Sequence, residues 1–365
     1  MSDEQTDIAT RDAAGESGKA TGDEASRLIL GIDLGTSRTS VVSSRGERKI
    51  FHSVVGYPRD VIGVRLLGAP FAVGDDVLEK QSFLELRYPL KDGVINEANP
   101  QDLVAARQIL KFAVDATAPQ PGQEIRAVIG VPARASLGNR SAVLQIAKEL
   151  VNAAVVISQP FLVAYHYGKL VNAMVIDIGG GTVDICVLKG MIPSPDDQAT
   201  INKAGNYIDT LLAEAIIQRY PDVRVSQTTA RTIKEAHAFV GETPRDPIRV
   251  ELRANGLPVQ CDITEEIRQA CEAIVPDVVE AADVLIRRFP PDDLPKLLQN
   301  ILLAGGGSRI TGLAGMIAHR LRAYGDVKVT VARDADFDGA AGALMMGQEL
   351  PLQFWDKLGD VVGKD

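Results

Sequence analysis

Cysteine and histidine are scarce in this 365-residue chain, with three of the first (Cys186, Cys261, Cys271) and four of the second (His52, His166, His237, His319). The cysteines show no metal-ligand spacing, and an odd number builds no disulfide framework. They read as small apolar core residues of a protein kept in a reducing cytoplasm. The scattered histidines offer neither a metal centre nor a covalent catalytic cluster. Long apolar runs are missing too: none reaches the roughly 18 residues that a membrane-spanning helix requires. Basic charge is in deficit, with 39 Lys and Arg against 48 Asp and Glu. That balance argues against a nucleic-acid surface, because neutralising phosphates takes clustered cations.

Residues 1–26 contain one large aliphatic side chain, Ile8, among Asp, Glu, Ser, Thr, Gly and Ala. Such a segment buries too little surface to offset its ordering entropy and is expected to be a disordered acidic tail. It lacks the basic and apolar regions of a signal peptide. It also lacks the apolar, basic face of a membrane-surface helix, so membrane contact is expected to be indirect.

What is present fits a soluble α/β protein, 45% hydrophobic and 24% charged, long enough for two domains. A buried strand, Ala173-Met174-Val175-Ile176, runs into Asp177-Ile178-Gly179-Gly180-Gly181-Thr182-Val183-Asp184, and a second apolar run, Ile185 to Leu188, leaves again. This is a β-hairpin with a glycine tip whose N–H groups can approach an anion closely. An acidic residue beside such a cradle repels phosphate unless a divalent cation sits between them, usually through water. The stretch therefore suggests a Mg-nucleotide, although a glycine-rich hairpin taken alone is more often a tight turn.

The same grammar occurs about 145 residues earlier, in Leu28 to Ser37, where Asp33 ends a strand and Gly35, Thr36 and Ser37 turn the chain. A third turn, Gly305-Gly306-Gly307-Ser308, follows the apolar run Ile301 to Ala304. Three glycine turns at strand ends, in this order, suggest two similar half-molecules facing one nucleotide.

These residues resemble the superfamily of actins, sugar kinases and heat-shock chaperone ATPases. Asp33 to Ser37 is similar to its first phosphate loop, Asp177 to Asp184 to its second, and Gly305 to Ser308 to its adenosine loop. Ser53 to Arg59 and Arg87 to Val94 resemble actin motifs in particular. Over residues 27–350 the likeness is to the bacterial actins that form filaments beside magnetosomes. The resemblance implies an actin-like fold: two ribonuclease-H-like domains around a nucleotide cleft, each with a small inserted subdomain. It places the first large subdomain at 27–58 and 90–170, its insert at 59–89, the second large subdomain at 171–205 and 261–350, its insert at 206–260, and a tail at 351–365. The insert at 59–89 is expected to meet the next subunit of a filament.

Between these motifs, alternating strands and helices imply mainly parallel sheets covered on both faces. Pro100 to Val114 and Asn139 to Asn152 read as amphipathic helices, and Ile125 to Val131 as a buried strand. Asp336 to Ala343 supplies small residues for close helix packing.

The resemblance also assigns roles. Asp33 and Asp177 are expected to hold Mg2+ through water, with ATP or ADP on the amides of Gly35, Thr36, Ser37, Gly179, Gly180, Gly181 and Thr182. Gly205 opens the turn at the second insert, and Lys234 lies on a nucleotide-side helix. The glutamate that bacterial actins often carry three residues before that lysine is Arg231 here; Arg231 and Glu235 read as solvated helix charges. Gln159, before Pro160, falls where the superfamily positions the attacking water, with Asp184 across the phosphate; its bland alternative is a cap for the following helix. The bacterial relatives generally have Glu at this place, which can accept a proton where an amide only orients water. The implied activity is ATP hydrolysis coupled to assembly of a cytoplasmic filament that organises magnetosomes. Its partners would be further copies of the chain, a paralogous actin and magnetosome-associated proteins, without direct nucleic-acid binding or membrane insertion. The alternatives are a filament partner with slow or no hydrolysis, an actin that segregates plasmids or organelles, and a sugar kinase. A kinase would need a sugar pocket and a catalytic base; a chaperone would need a substrate domain after the ATPase.

Overall fold

The computed structural model describes residues 27–355. The acidic tail expected at 1–26 lies outside them, as does 356–365. Two five-stranded sheets carry the molecule. In the first, strand Arg27–Leu34 pairs antiparallel with Arg38–Ser43, which pairs antiparallel with Arg48–His52; on its other side lie Glu124–Val131 and Ala153–Ser158, both parallel. In the second, Val171–Ile178 pairs antiparallel with Val183–Lys189 and that strand with Gln198–Ile201, while Ile301–Ala304 and Val329–Val331 add in parallel. The two halves therefore repeat one strand order: a three-strand meander followed by two parallel strands. The mainly parallel sheets expected from the sequence are corrected to mixed ones. A tight glycine turn joins neighbouring strands directly and forces them antiparallel, whereas a helical crossover makes them parallel.

Each half has its own core. Leu28, Leu30, Ile32, Ile109 and Ile129 are buried in the first, and Met174, Ile176, Ile185, Leu212 and Leu303 in the second. A third cluster, including Val128, Leu162, Val175, Ala304 and Ala343, joins them. Cys186, Cys261 and Cys271 are free and buried, as the apolar reading expected.

The joint depends on close backbone approach. Helix Asp338–Glu349 packs on strand Arg27–Leu34 and on helix Gln159–His166. A Cβ on Gly31 would lie 2.0 Å from the Ala340 carbonyl oxygen, and one on Gly342 1.9 Å from that of Leu162. This helix therefore sits against the backbone itself, and its start meets the end of the strand that carries Asp33.

Two smaller units stand beside the sheets. Val55–Pro58 pairs with Ala72–Val73 and Leu84–Arg87, so this small sheet begins ahead of Arg59. Helices Gly205–Arg219 and Gln227–His237 pack together beside the hairpin Arg249–Ala254 and Leu257–Asp262. Helix Pro100–Asp115 starts where proline suits the first turn, capped by Asn99 accepting from the Gln101 amide at 3.0 Å. Among the described residues, no helix is long and apolar enough to cross a membrane.

Candidate nucleotide site

The three glycine turns converge on one cleft of about 490 Å³ between the halves. Of the residues singled out from the sequence, all but Ser308 line it. Ser308 is buried, and the cleft wall there is formed by Gly305, Gly306 and Gly307.

The two hairpin turns interlock. A Cβ on Gly180 would lie 2.1 Å from the Ser37 Oγ, and one on Gly181 2.3 Å from the Thr36 Oγ1. The hydroxyls of one turn occupy the space that side chains would take in the other. Gly305 is the third close approach, with a positive φ of 71° and Asp177 Oδ1 2.3 Å from its ideal Cβ position.

The cleft floor is acidic. Burial pushes the Asp33 carboxyl up to about 6, against the pull of its hydrogen bond from Gln159, and the charge of Asp184 adds to the rise. Asp177 is held well above the usual carboxylate range, first by burial and then by Asp33, Asp184 and Asp338. Asp184 is also raised by burial, although its oxygens accept from the Ala133 amide at 2.9 Å, Thr200 at 2.6 Å and Thr182 at 2.8 Å. The Ala133 bond reaches from the first half to the second.

Gln159 opens helix Gln159–His166 without capping it: its Nε2 donates to Asp33 Oδ1 at 2.6 Å and to the Leu34 carbonyl at 3.3 Å. Its Oε1 is left to accept. Thr36 Oγ1 accepts from the Gly93 amide at 2.6 Å. Gly205 donates its amide to the Gly179 carbonyl at 3.1 Å and accepts from Lys234 Nζ at 2.8 Å.

Arg231 is not the solvated charge expected of it, whereas Glu235 is exposed as expected. Arg231 Nε donates to the buried Asp209 at 3.3 Å, and Asp209 also pairs with Lys234 at 2.6 Å. Glu235 pairs with Arg38 of the first half at 3.2 Å. Residues three and four apart on helix Gln227–His237 share one side, and here that side faces the cleft.

The MreB/Mbl protein family model matches residues 27–352. The chain belongs to the MreB/Mbl family. Among its relatives, the Actin-like protein MamK of Paramagnetospirillum magneticum is 50% identical over 342 residues, covering 94% of this chain and 98% of that one. A solved MamK double helical filament has 50% identity and a TM-score of 0.87, with 89% of this chain and 100% of that chain covered. A non-polymerising point mutant of MamK bound to AMPPNP has 50% identity and a TM-score of 0.70, covering 88% and 99%. The actin resemblance drawn from the glycine turns thus holds for family and fold. Four further residues of this MreB/Mbl cleft, Arg38, Asn206, Arg309 and Asp336, were not anticipated. All four lie in or next to stretches already singled out: Arg38 and Arg309 follow or end glycine turns, Asn206 directly follows Gly205, and Asp336 opens the stretch to Ala343.

Proposed function

We propose that the protein is a polymerising bacterial actin whose cytoplasmic filaments organise or align magnetosomes, with ATP binding and hydrolysis governing filament turnover. The observation that carries this reading is the convergence of three glycine turns on one cleft between two like sheets, in a chain 50% identical to filament-forming relatives. The relative bound to AMPPNP supports ATP as the ligand. Within this reading the chain divides into large subdomains at 27–58 with 90–170 and 171–205 with 261–350, and small ones at 59–89 and 206–260. Strand Val55–Pro58 is added to the first small one. Partners are further copies of the chain, a paralogous actin and magnetosome-associated proteins.

The residues fit Mg2+. Asp33, Asp177 and Asp184 are carboxylates held in each other's field, and Lys234 is already committed to Asp209. Among the described residues no three acidic, histidine or cysteine side chains form a direct cage, which suits a cation held through water and phosphate oxygens. When bound, Mg2+ would neutralise charge on the phosphates and polarise the bond to be broken. Asp33 and Asp177 would hold its water shell, and the amides at Gly35 to Ser37 and Gly179 to Gly181 would hold phosphate oxygens. Gln159, tied through Nε2 to Asp33, would present Oε1 to the attacking water, with Asp184 opposite. Phosphate loss between the halves would alter their relative angle and hence the surface offered to neighbouring subunits.

Slow hydrolysis is a second reading, favoured by one observation: an amide stands at residue 159 with its nitrogen held by Asp33, so it accepts no proton from water. Pelletable polymer and phosphate release, measured together with ATP and Mg2+ on the wild type, Asp177→Ala and Gln159→Glu, separate the two. Assembly with release that Asp177→Ala abolishes supports the ATPase. Assembly without release, restored by Gln159→Glu, supports the slow filament. Absence of polymer under every nucleotide would overturn both.

A further inference from the structure

Asn206 connects both hairpin turns and carries a cation of the cleft wall. Its backbone amide donates to the Gly180 carbonyl at 2.7 Å, anchoring it to the second turn. Its side-chain Oδ1 accepts from Ser37 Oγ of the first turn at 3.2 Å and from Arg231 Nη2 at 3.1 Å. Guanidinium groups only donate, so the amide atom facing Arg231 is the oxygen. Ser37 faces that same oxygen and must therefore donate to it. Arg231 is itself fixed by Asp209, which is 1% exposed.

A serine hydroxyl has one proton. Ser37 commits it to Asn206 across the cleft, yet Ser37 lines the cradle where a phosphate oxygen would need the same proton. We propose that Asn206 is a positioning residue that competes with nucleotide phosphate for the Ser37 hydroxyl, tying the two halves together until phosphate takes that proton and releases the first turn. The inference rests on the nucleotide reading of this cleft. Its consequence has a definite sign: removing the Asn206 side chain leaves nothing to displace, so nucleotide binds more tightly. A residue that touched the ligand or merely supported the fold would give the opposite.

The test is calorimetric titration of the full chain with AMPPNP and Mg2+, at protein concentrations that give no pelletable polymer, for wild type, Asn206→Ala, Ser37→Ala and the double variant. Asn206→Ala is expected to tighten binding about fivefold, the worth of one exchanged hydrogen bond. In the Ser37→Ala background the same change should have no effect. Thermal unfolding provides the second readout: Asn206→Ala lowers the Tm of the nucleotide-free protein and leaves the AMPPNP-bound Tm unchanged. Weaker binding by Asn206→Ala, an equal effect in both backgrounds, or an equal Tm loss with and without nucleotide overturns the tie alone. No AMPPNP binding by the wild type overturns the nucleotide reading and the tie with it.

Discussion

In the first half of the molecule the hairpin turn after Asp33 carries hydroxyls, Thr36 and Ser37; in the second, the turn after Asp177 carries three glycines in a row. The strand order around them is the same, yet their chemistry has divided. One turn supplies side-chain donors, and the other supplies the room those donors occupy, since a Cβ at Gly180 or Gly181 would meet Ser37 or Thr36. The acidic residues differ likewise. Asp33 receives a hydrogen bond from Gln159, whereas Asp177 receives no side-chain hydrogen bond among the described residues and is pressed by burial and three other carboxyls. A duplicated fold thus forms one site through complementary halves.

The largest effect should come from removing those charges. A carboxyl whose folded value is raised contributes stability below its unfolded value, near pH 4, and that contribution is lost as pH rises through the folded value. For Asp33 the loss is complete above about pH 6, and a rise of about two pH units corresponds to about 3 kcal/mol. At pH 8, nucleotide-free Asp33→Asn should therefore be more stable than wild type by about that amount, and Asp177→Asn should be stabilised as well. Both should lose Mg2+-dependent phosphate release. Denaturant unfolding at pH 4 and pH 8 measures the difference. Equal gains at both pH values would refute the charge account.

A smaller loss should follow from filling the interlock. Gly180→Ala forces overpacking against Ser37, which costs about 2 kcal/mol, or roughly thirtyfold in nucleotide affinity. Gly306→Ala is the control: no atom lies within 4 Å of its ideal Cβ position, so binding should stay within about twofold. Wild-type affinity in Gly180→Ala would show that the turns need not interlock.

These contrasts also mark what the chain reveals before it folds. The turns were legible because strand, acid and glycine stand in one short stretch, and the family resemblance aligned them. Arg231 was misread because a charge on a polar helix looks solvated until the element opposite is known. Its partner, Asp209, lies 22 residues away on another helix. Mixed rather than parallel sheets follow from the same hairpins that were read correctly; the local turn decided the pairing against the general α/β pattern. Ser308 matched its motif but is buried and does not line the cleft, because a motif fixes the path of a loop and not the exposure of each side chain.

Gln159 sharpens the comparison at the level of rate. Its Nε2 holds Asp33 of the first half and its Oε1 is available to water, so Gln159→Leu should lower phosphate release about tenfold to a hundredfold. AMPPNP affinity should change by less than about threefold. A parallel loss of affinity would mean that Gln159 acts mainly by holding Asp33.

The smallest effect belongs to the mouth of the cleft. Arg38 of the first half donates to Glu235 of the second at 3.2 Å and lies 3.9 Å from Asp336, which Arg309 holds at 2.7 Å. The Arg38 and Glu235 side chains are 37% and 49% exposed, so solvent screens the pair and limits it to about 0.5 kcal/mol. Arg38→Ala should speed ADP release about twofold at low ionic strength, as measured by stopped-flow chase. In 0.5 M salt, where the screening length falls to about 4 Å, wild type and variant should release alike. A difference that survives high salt would mean that Arg38 holds the nucleotide directly instead of bridging the halves above it.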